Sequence, residues 1–478
     1  MKKGDILEFE IESYAFEGKG IAKIDNPFEG DSEKKYVVFV NGSYPGDVVK
    51  AMIIKKKKSF AEARVTEVIK AAPERVDVKC NYFGVCGGCK QQNLDYNAQL
   101  KYKEAQVKEI FEHMGGFTDF EFEPIIASEN IFFYRNKMEY SFADRRWLTK
   151  EELKSDGEVE DRFFALGLHI PRMFDKVVDI SECFLQSELS NKVLNFTRDF
   201  FKSRNATIYS TKTHEGYLRN LVIKHCHHTN NLMVNLVTHT DESELMKQYS
   251  DELLEVVPEI TTIINNINEK KSQVAIGDYE IVYHGDGYIY DTIGKHKYRI
   301  SANSFFQTNT LQAEHLYNVA LEYAGIKEGD IVYDLYSGAG TISIYVSEKP
   351  EKVFAIEAVA PAVEDAMKNL ELNDIDNVEF ALADLNKSFL PIIEEIGIPK
   401  PDVIIADPPR SGMNPKTVKD ILALKPRQIS YVSCNPTTQV RDIKLLCEAG
   451  YKLVKVRPVD MFPHTYHIEN CAMLVLED

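Results

Sequence analysis

Ile331-Val332-Tyr333-Asp334-Leu335-Tyr336-Ser337-Gly338-Ala339-Gly340-Thr341 is the stretch on which the fold turns. A buried-strand pattern runs into a loop with two glycines, and Ile342-Ser343-Ile344-Tyr345-Val346 continues as an apolar helix. Glycines at the carboxyl end of a strand let the backbone approach a ligand closely, and open α/β sheets bind cofactors at that edge. A second strand, Val353-Phe354-Ala355-Ile356, ends at Glu357. That acid lies 19 residues after Gly338, the separation at which a carboxylate meets ribose hydroxyls. The dinucleotide fingerprint requires a third glycine where Ser343 stands, and the acidic Asp334 precedes the loop. An acid there suits the cationic amino-acid end of S-adenosylmethionine better than a pyrophosphate, so that cofactor is expected rather than NAD. A third unit, Val378-Glu379-Phe380-Ala381-Leu382-Ala383, ends at Asp384, which reads either as an adenine contact or as a turn aspartate.

Two more strands complete the pattern. Val403-Ile404-Ile405-Ala406 runs into Asp407-Pro408-Pro409-Arg410, a turn stiffened by two prolines. Gln428-Ile429-Ser430-Tyr431-Val432 runs into Ser433-Cys434-Asn435-Pro436. Asn-Pro stops the strand and turns the chain, which favours a fixed, accessible thiol over an inert core cysteine. A thiol beside a methyl donor defines one chemistry. Carbon 5 of a pyrimidine becomes nucleophilic once a thiolate has added to carbon 6, and a base must later remove the carbon-5 proton to free the cysteine. Glu469, in His467-Ile468-Glu469-Asn470, is the candidate base. An Asp-Pro-Pro turn also serves methyltransferases that act on exocyclic amines. Arg410, where those enzymes have a stacking aromatic ring, speaks against that alternative.

The rest of the chain frames this site. Its 478 residues predict two to four domains, and 44% hydrophobic with 27% charged residues is the balance of an ordinary globular protein. No apolar run of about 18 residues predicts a membrane span. The start, Met1-Lys2-Lys3-Gly4-Asp5, is no secretion signal, so a cytoplasmic location with reduced cysteines is expected. The net charge of −17 argues against a generally basic nucleic-acid binder. Residues 1–70, however, carry 13 basic and 12 acidic side chains, including the run Lys55-Lys56-Lys57-Lys58. Such a run is either a solvated face or a local grip on phosphates.

Three domains are expected. Residues 1–68 hold short strands (Ile6–Ile11, Tyr36–Val40, Ala61–Val68) punctuated by Gly18, Gly20, Gly42 and Gly46, as in a small β-barrel. Residues 69–300 form an α+β central domain whose helical segment, at about 93–116, can pack on the catalytic domain. Residues 301–478 form the catalytic domain, where strands alternate with helices. Cys80, Cys86 and Cys89 put three thiols within ten residues. From spacing alone, both zinc and an iron–sulfur cluster suit such thiolates, with a fourth ligand supplied from elsewhere. Cys226, Cys447 and Cys471 read as core residues.

Several motifs in order now carry a resemblance. They are Phe305-Phe306-Gln307-Thr308-Asn309, Asp407-Pro408-Pro409-Arg410-Ser411-Gly412, Ser433-Cys434-Asn435-Pro436-Thr437-Thr438 with Arg441-Asp442, and His467-Ile468-Glu469. Together they resemble the RNA uracil-5 methyltransferase family over nearly the whole chain. Tyr44-Pro45-Gly46-Asp47 is similar to its N-terminal TRAM barrel. Tyr134-Arg135-Asn136-Lys137 and Leu218-Arg219-Asn220-Leu221-Val222-Ile223 are similar to its central domain. The resemblance implies an α/β fold with a C-terminal Rossmann-like methyltransferase domain. It implies Cys434 as nucleophile and Glu469 as base. It implies Gln307, Tyr336, Glu357, Asp407 and Asp384 as contacts to S-adenosylmethionine, with Asp407 also able to orient the uracil. Thr341 departs from members that have Asn there. The family's ribosomal RNA members carry a [4Fe-4S] cluster on this cysteine spacing, with Cys183 matching the fourth ligand. The expected enzyme is therefore a 23S rRNA (uracil-5-)-methyltransferase acting as a monomer. Transfer-RNA T-loop uridine is the alternative target. A non-catalytic RNA-binding module is the reading from another class.

Overall fold

The computed structural model describes residues 1–26, 35–148, 152–153, 162–171, 173–271 and 274–477. Residues Ile6–Glu10, Ser13–Ala15, Lys19–Ile24, Tyr36–Asn41, Val48–Lys56 and Phe60–Lys70 form one six-stranded sheet. Alternation along these strands buries Phe9, Val38, Val40, Val49, Ala51, Ile53, Ala61 and Ala63 as a single small core. Asp47 ties this barrel to the chain that leaves it. Its carboxylate accepts hydrogen bonds from the Arg75 guanidinium at 2.7 Å and the Ala72 backbone N–H at 2.8 Å.

The central region is a seven-stranded sheet whose middle strands, Leu218–His225 and Leu232–Thr238, are buried along almost their whole length. Helices Glu188–Ser203 and Ser243–Val256 pack on it through Val193, Phe200, Phe201, Tyr249 and Leu253.

The catalytic region is an eight-stranded sheet. Five parallel strands come first: Val378–Leu382, Lys352–Glu357, Ile331–Leu335, Val403–Ala406 and Gln428–Ser433. Glu469–Leu476 and Tyr451–Val459 then pair antiparallel, and the short strand Glu121–Phe122 closes the edge. The strand order reverses between Ile331–Leu335 and Val403–Ala406. That is the topological switch point, where an open α/β sheet leaves a crevice at its carboxyl edge.

Two segments that precede the parallel strands pack into the cores on this sheet. Helix Tyr96–Glu109 and the π-helical turn Ile110–Gly115 bury Val107, Ile110 and Phe111 in the catalytic core beside Val440 and Ile443. The hairpin Tyr288–Ile293/His296–Ser301 packs Ile289, Ile293, Tyr298 and Ile300 into the core under helix Thr310–Ala324. That core also takes in Cys226, Met233 and Ile264 of the central region, so the hairpin bridges the two layers. Among the described residues no helix is long and apolar enough to cross a membrane.

Candidate active site

The glycine loop leaves strand Ile331–Leu335 at the switch point. Tyr336 has φ 66°, a left-handed conformation that is strained for an aromatic residue and that clusters at functional sites. Gly338 (φ 55°) has open space where a side chain would stand. Gly340 (φ 73°) has no such space, because an added Cβ would lie 2.8 Å from Phe380. Glu357 reaches back to the loop as its spacing predicts, and one carboxylate oxygen accepts the Gly338 N–H at 2.9 Å. The other accepts from Ala358 and Val359 at 2.7 and 2.8 Å. The loop is thus fixed before any ligand arrives.

Two acids at this crevice are held away from their charged forms by burial. Asp334 is fully buried, takes one hydrogen bond from Ser343 at 2.5 Å, and leaves its other oxygen unpartnered. Burial pushes its carboxyl up to about 7. Asp407 extends strand Val403–Ala406 by one residue, and burial pushes it up to about 7 as well. Ser337 Oγ is also buried without a partner. Orphaned acids around an open glycine cradle suit a ligand with an ammonium and a sulfonium, so S-adenosylmethionine fits these residues.

Cys434 and Glu469 meet through strand register. Val432 pairs with Cys471 and Ser433 with Asn470, so Cys434 leaves the ladder one residue past Ser433, where the Glu469 carboxyl acts on it. The pairing is pinned from below by Gln439, which donates to Tyr431 O and Asn470 O and accepts from Asn470 Nδ2 at 2.7 Å. Asn435 caps helix Pro436–Cys447 through the Thr437 N–H, which leaves Cys434 as the turn residue between strand and helix. Burial first, then the nearby Glu469 and Asp407 carboxyls, push the Cys434 thiol up to about 11, against the opposing pull of Arg410. Burial also raises Glu469 well above the ordinary carboxylate range, with Asp407 adding to it. Arg410 donates to His467 Nδ1 at 3.0 Å, and burial with the Arg410 charge holds that imidazole down to about 4, neutral and able to accept.

Asn435 and Thr438 hold the Asp-Pro-Pro-Arg turn at Arg410 O, and Asp442 anchors the chain just after it, a role that its place in the Arg441-Asp442 motif does not reveal. This buried carboxylate accepts the Met413 N–H and the Tyr431 hydroxyl at 2.7 Å, and Arg441 at 2.7–2.8 Å. Gln307 lies beside the Tyr317 hydroxyl, near Asp407. Its carbonyl accepts Asn136 Nδ2 at 2.8 Å, so the central region sets the position of the loop that carries it. The Tyr336 hydroxyl faces Thr417 and Asn414, and Thr341 Oγ1 lies 2.9 Å from the Tyr317 hydroxyl. Asp384 behaves as a turn aspartate: it accepts the Asn386 N–H at 3.0 Å and pairs with Lys387 at 3.3 Å.

Cys80, Cys86, Cys89 and Cys183 lie half-buried and within electrostatic reach of each other. Burial and the neighbouring thiols push Cys89 up to about 12 and Cys183 up to about 11. Gly88 N–H donates to Cys86 Sγ at 3.3 Å. Among the described residues, no three His, Cys, Asp or Glu side chains are drawn together tightly enough to hold a metal ion. Cys226 and Cys471 are buried, and Cys447 packs half-buried against the catalytic core.

Comparison with known proteins bears on the family and the fold. The tRNA (Uracil-5-)-methyltransferase family model matches residues 212–477, and the TRAM domain model matches residues 1–66. An uncharacterized RNA methyltransferase of Chlorobaculum tepidum is 44% identical over 98% of this chain and 96% of its own. One of Bacteroides thetaiotaomicron is 41% identical over 97% and 100%. The solved Pyrococcus abyssi tRNA (uracil-54, C5)-methyltransferase, in complex with S-adenosyl-L-homocysteine, is 29% identical. It superposes with a TM-score of 0.73 over 98% of this chain and 100% of its own.

Proposed function

The chain belongs to the RNA uracil-5 methyltransferase family, and from that premise we propose that it makes 5-methyluridine in RNA through a covalent adduct on Cys434. The register that brings Cys434 to the Glu469 carboxyl, beside Asp407 and the glycine cradle, carries this reading. S-adenosylmethionine, when bound, supplies the methyl group.

Each chain residue then has a task. Cys434 gives up its proton to solvent and the thiolate sulfur adds to carbon 6 of the uracil, which leaves the charge delocalised to carbon 5 and the carbonyl oxygen. Carbon 5 takes the methyl group. Glu469 removes the carbon-5 proton, the electrons of that bond form the carbon 5–carbon 6 double bond, and the carbon–sulfur bond breaks to return the Cys434 thiolate. The Glu469 proton leaves to solvent. Gln307 and Asp407 border the base, while Glu357 has lone pairs left for ribose hydroxyls. Tyr336 shapes the cradle through its backbone. The contact of Asp384 to adenine is the weaker assignment, since its carboxylate already closes a turn. The target base must leave its stack to meet a thiol that attacks from above the ring, so a loop uridine is the substrate class. The TRAM domain and Lys55–Lys58 grip the RNA backbone.

Large-subunit (23S) ribosomal RNA is the proposed target. The full-length likeness to a transfer-RNA uracil-54 enzyme favours a second reading, the T-loop uridine. Mass spectrometry of both RNAs, from cells with and without the gene, separates the two. Loss of 5-methyluridine from 23S rRNA alone supports the first, loss from tRNA alone the second, and loss from neither refutes both.

Cys80, Cys86, Cys89 and Cys183 would hold a [4Fe-4S] cluster. What supports this is the family resemblance of their spacing, together with four half-buried thiols within electrostatic reach of one another; the described side chains are not drawn into a closed site. Protein purified without oxygen should be brown and should contain about four irons per chain; a colourless, zinc-containing preparation would contradict this.

A further inference from the structure

Glu469 accepts no side-chain hydrogen bond among the described residues; burial and nearby charge alone act on it. Its backbone therefore sets its position. The strand Glu469–Leu476 fixes one side, and the loop 460–468 fixes the other.

The first half of that loop, residues 460–464, is held chiefly by parts of the chain more than 300 positions away, while Asn309 and Gln312 donate to Met461 O and Asp460 O at 3.0 Å. Lys103 is 1% exposed, and its ammonium donates to Asp460 Oδ1 at 2.6 Å and to the Phe462 carbonyl at 3.2 Å. Asp460 is fully buried and takes a second hydrogen bond from Tyr96 at 2.9 Å. Tyr134 donates to Pro463 O at 3.1 Å, and Gln99 accepts the His464 N–H at 2.8 Å. The backbone N–H groups of Lys90 and Gln91, just after Cys89, donate to His464 O at 2.8 and 3.0 Å. His464 itself sits at φ 64°.

A buried ion pair is an inefficient way to stabilise a fold, because desolvation offsets most of the attraction, but it fixes geometry tightly. Lys103 is the cationic member of this clamp. It grips the loop at Asp460 and Phe462, and the chain is still held from outside at His464. We propose that Lys103 is a positioning residue for Glu469: it holds loop 460–468 so that the base faces carbon 5, and the step it governs is release of the methylated uracil from Cys434. The proposal rests on the assignment of Glu469 as the base.

The test separates adduct formation from release. Formation needs Cys434 but not Glu469, and it is read on RNA carrying 5-fluorouridine, from which no carbon-5 proton can be removed. Release is read on the same RNA with ordinary uridine. The probe is in vitro transcribed 23S rRNA or tRNA, whichever the unaltered enzyme methylates. In Lys103→Met, formation should stay within about threefold of the unaltered enzyme, while turnover falls by up to about 10²-fold, as a misplacement of about 1 Å allows. A covalent complex with methylated RNA should then accumulate, as it should in Glu469→Gln. Equal losses in formation and turnover, or normal turnover, would overturn the proposal. If Lys103→Met does not fold by near-ultraviolet circular dichroism, Lys103→Met/Asp460→Asn, which leaves no unpaired buried charge, enters the same assay. Selective loss of release in that double variant supports the proposal, and equal losses or normal turnover overturn it. Normal adduct formation by the unaltered enzyme together with unhindered turnover of Glu469→Gln would instead remove the role of Glu469 itself.

Discussion

Burial disfavours the charged forms of the groups in the site. Cys434 is pushed up to about 11, and Asp407 and Asp334 to about 7, chiefly by burial. A thiol must lose its proton before it attacks, so adduct formation should speed up as pH rises from about 6 to 9, with a slope near one on a logarithmic scale. The same burial makes stability fall with pH. Asp407 binds a proton more tightly folded than unfolded, so its contribution is full below about 4 and is lost as pH rises through about 7. Asp407→Asn should therefore gain about 2 kcal/mol of stability at pH 8 in denaturant titrations, no more than slightly at pH 4, and lose methyl transfer. A variant equally stabilised at both pH values would contradict the buried charge. Cys434 and Glu357 stand out in the sequence because each follows or ends an apolar strand run, and Glu469 stands out through the motif His467-Ile468-Glu469 that resembles the family. Lys103, Asp460 and Gln99 do not: a buried lysine and a lysine on a solvated helix face look alike in one sequence, and only the partner 357 positions away distinguishes them.

At the level of elements, the strand–loop–helix units are readable because each carries its own periodicity. The observed strands Ile331–Leu335, Lys352–Glu357 and Val403–Ala406 follow the apolar runs closely. The segment Tyr96–Gly115 is readable as a helix, but its seat against Val440 and Ile443 depends on pairings that leave no local pattern. The two-residue strand Glu121–Phe122 likewise exists only because Tyr451–Val459 offers an edge. The glycine loop is the element with least room for change. Gly340→Ala adds a Cβ 2.8 Å from Phe380 in a left-handed backbone, so it should cost about 1–3 kcal/mol and weaken S-adenosylmethionine binding in calorimetry. Gly338→Ala, whose Cβ meets open space, should cost less stability yet still weaken binding, because the methyl would occupy the cradle. Equal affinity in both variants and the unaltered enzyme would place the cofactor elsewhere.

The whole molecule shows why one catalytic sheet comes with two further domains. The central region holds the Gln307 loop through Asn136, and the chain leading out of the TRAM domain holds the Glu469 loop through Lys90, Gln91, Gln99 and Lys103. The Gln307 loop and the Glu469 loop are thus set in place by separate layers of the fold. The direct test of the proposed reaction is to mix the enzyme with S-adenosylmethionine and RNA containing 5-fluorouridine, then resolve the products on a denaturing gel. A slow-migrating protein–RNA band that forms with the unaltered chain and vanishes in Cys434→Ala is the expected result. No such band with either 23S rRNA or tRNA, or a band that survives Cys434→Ala, would contradict the covalent mechanism.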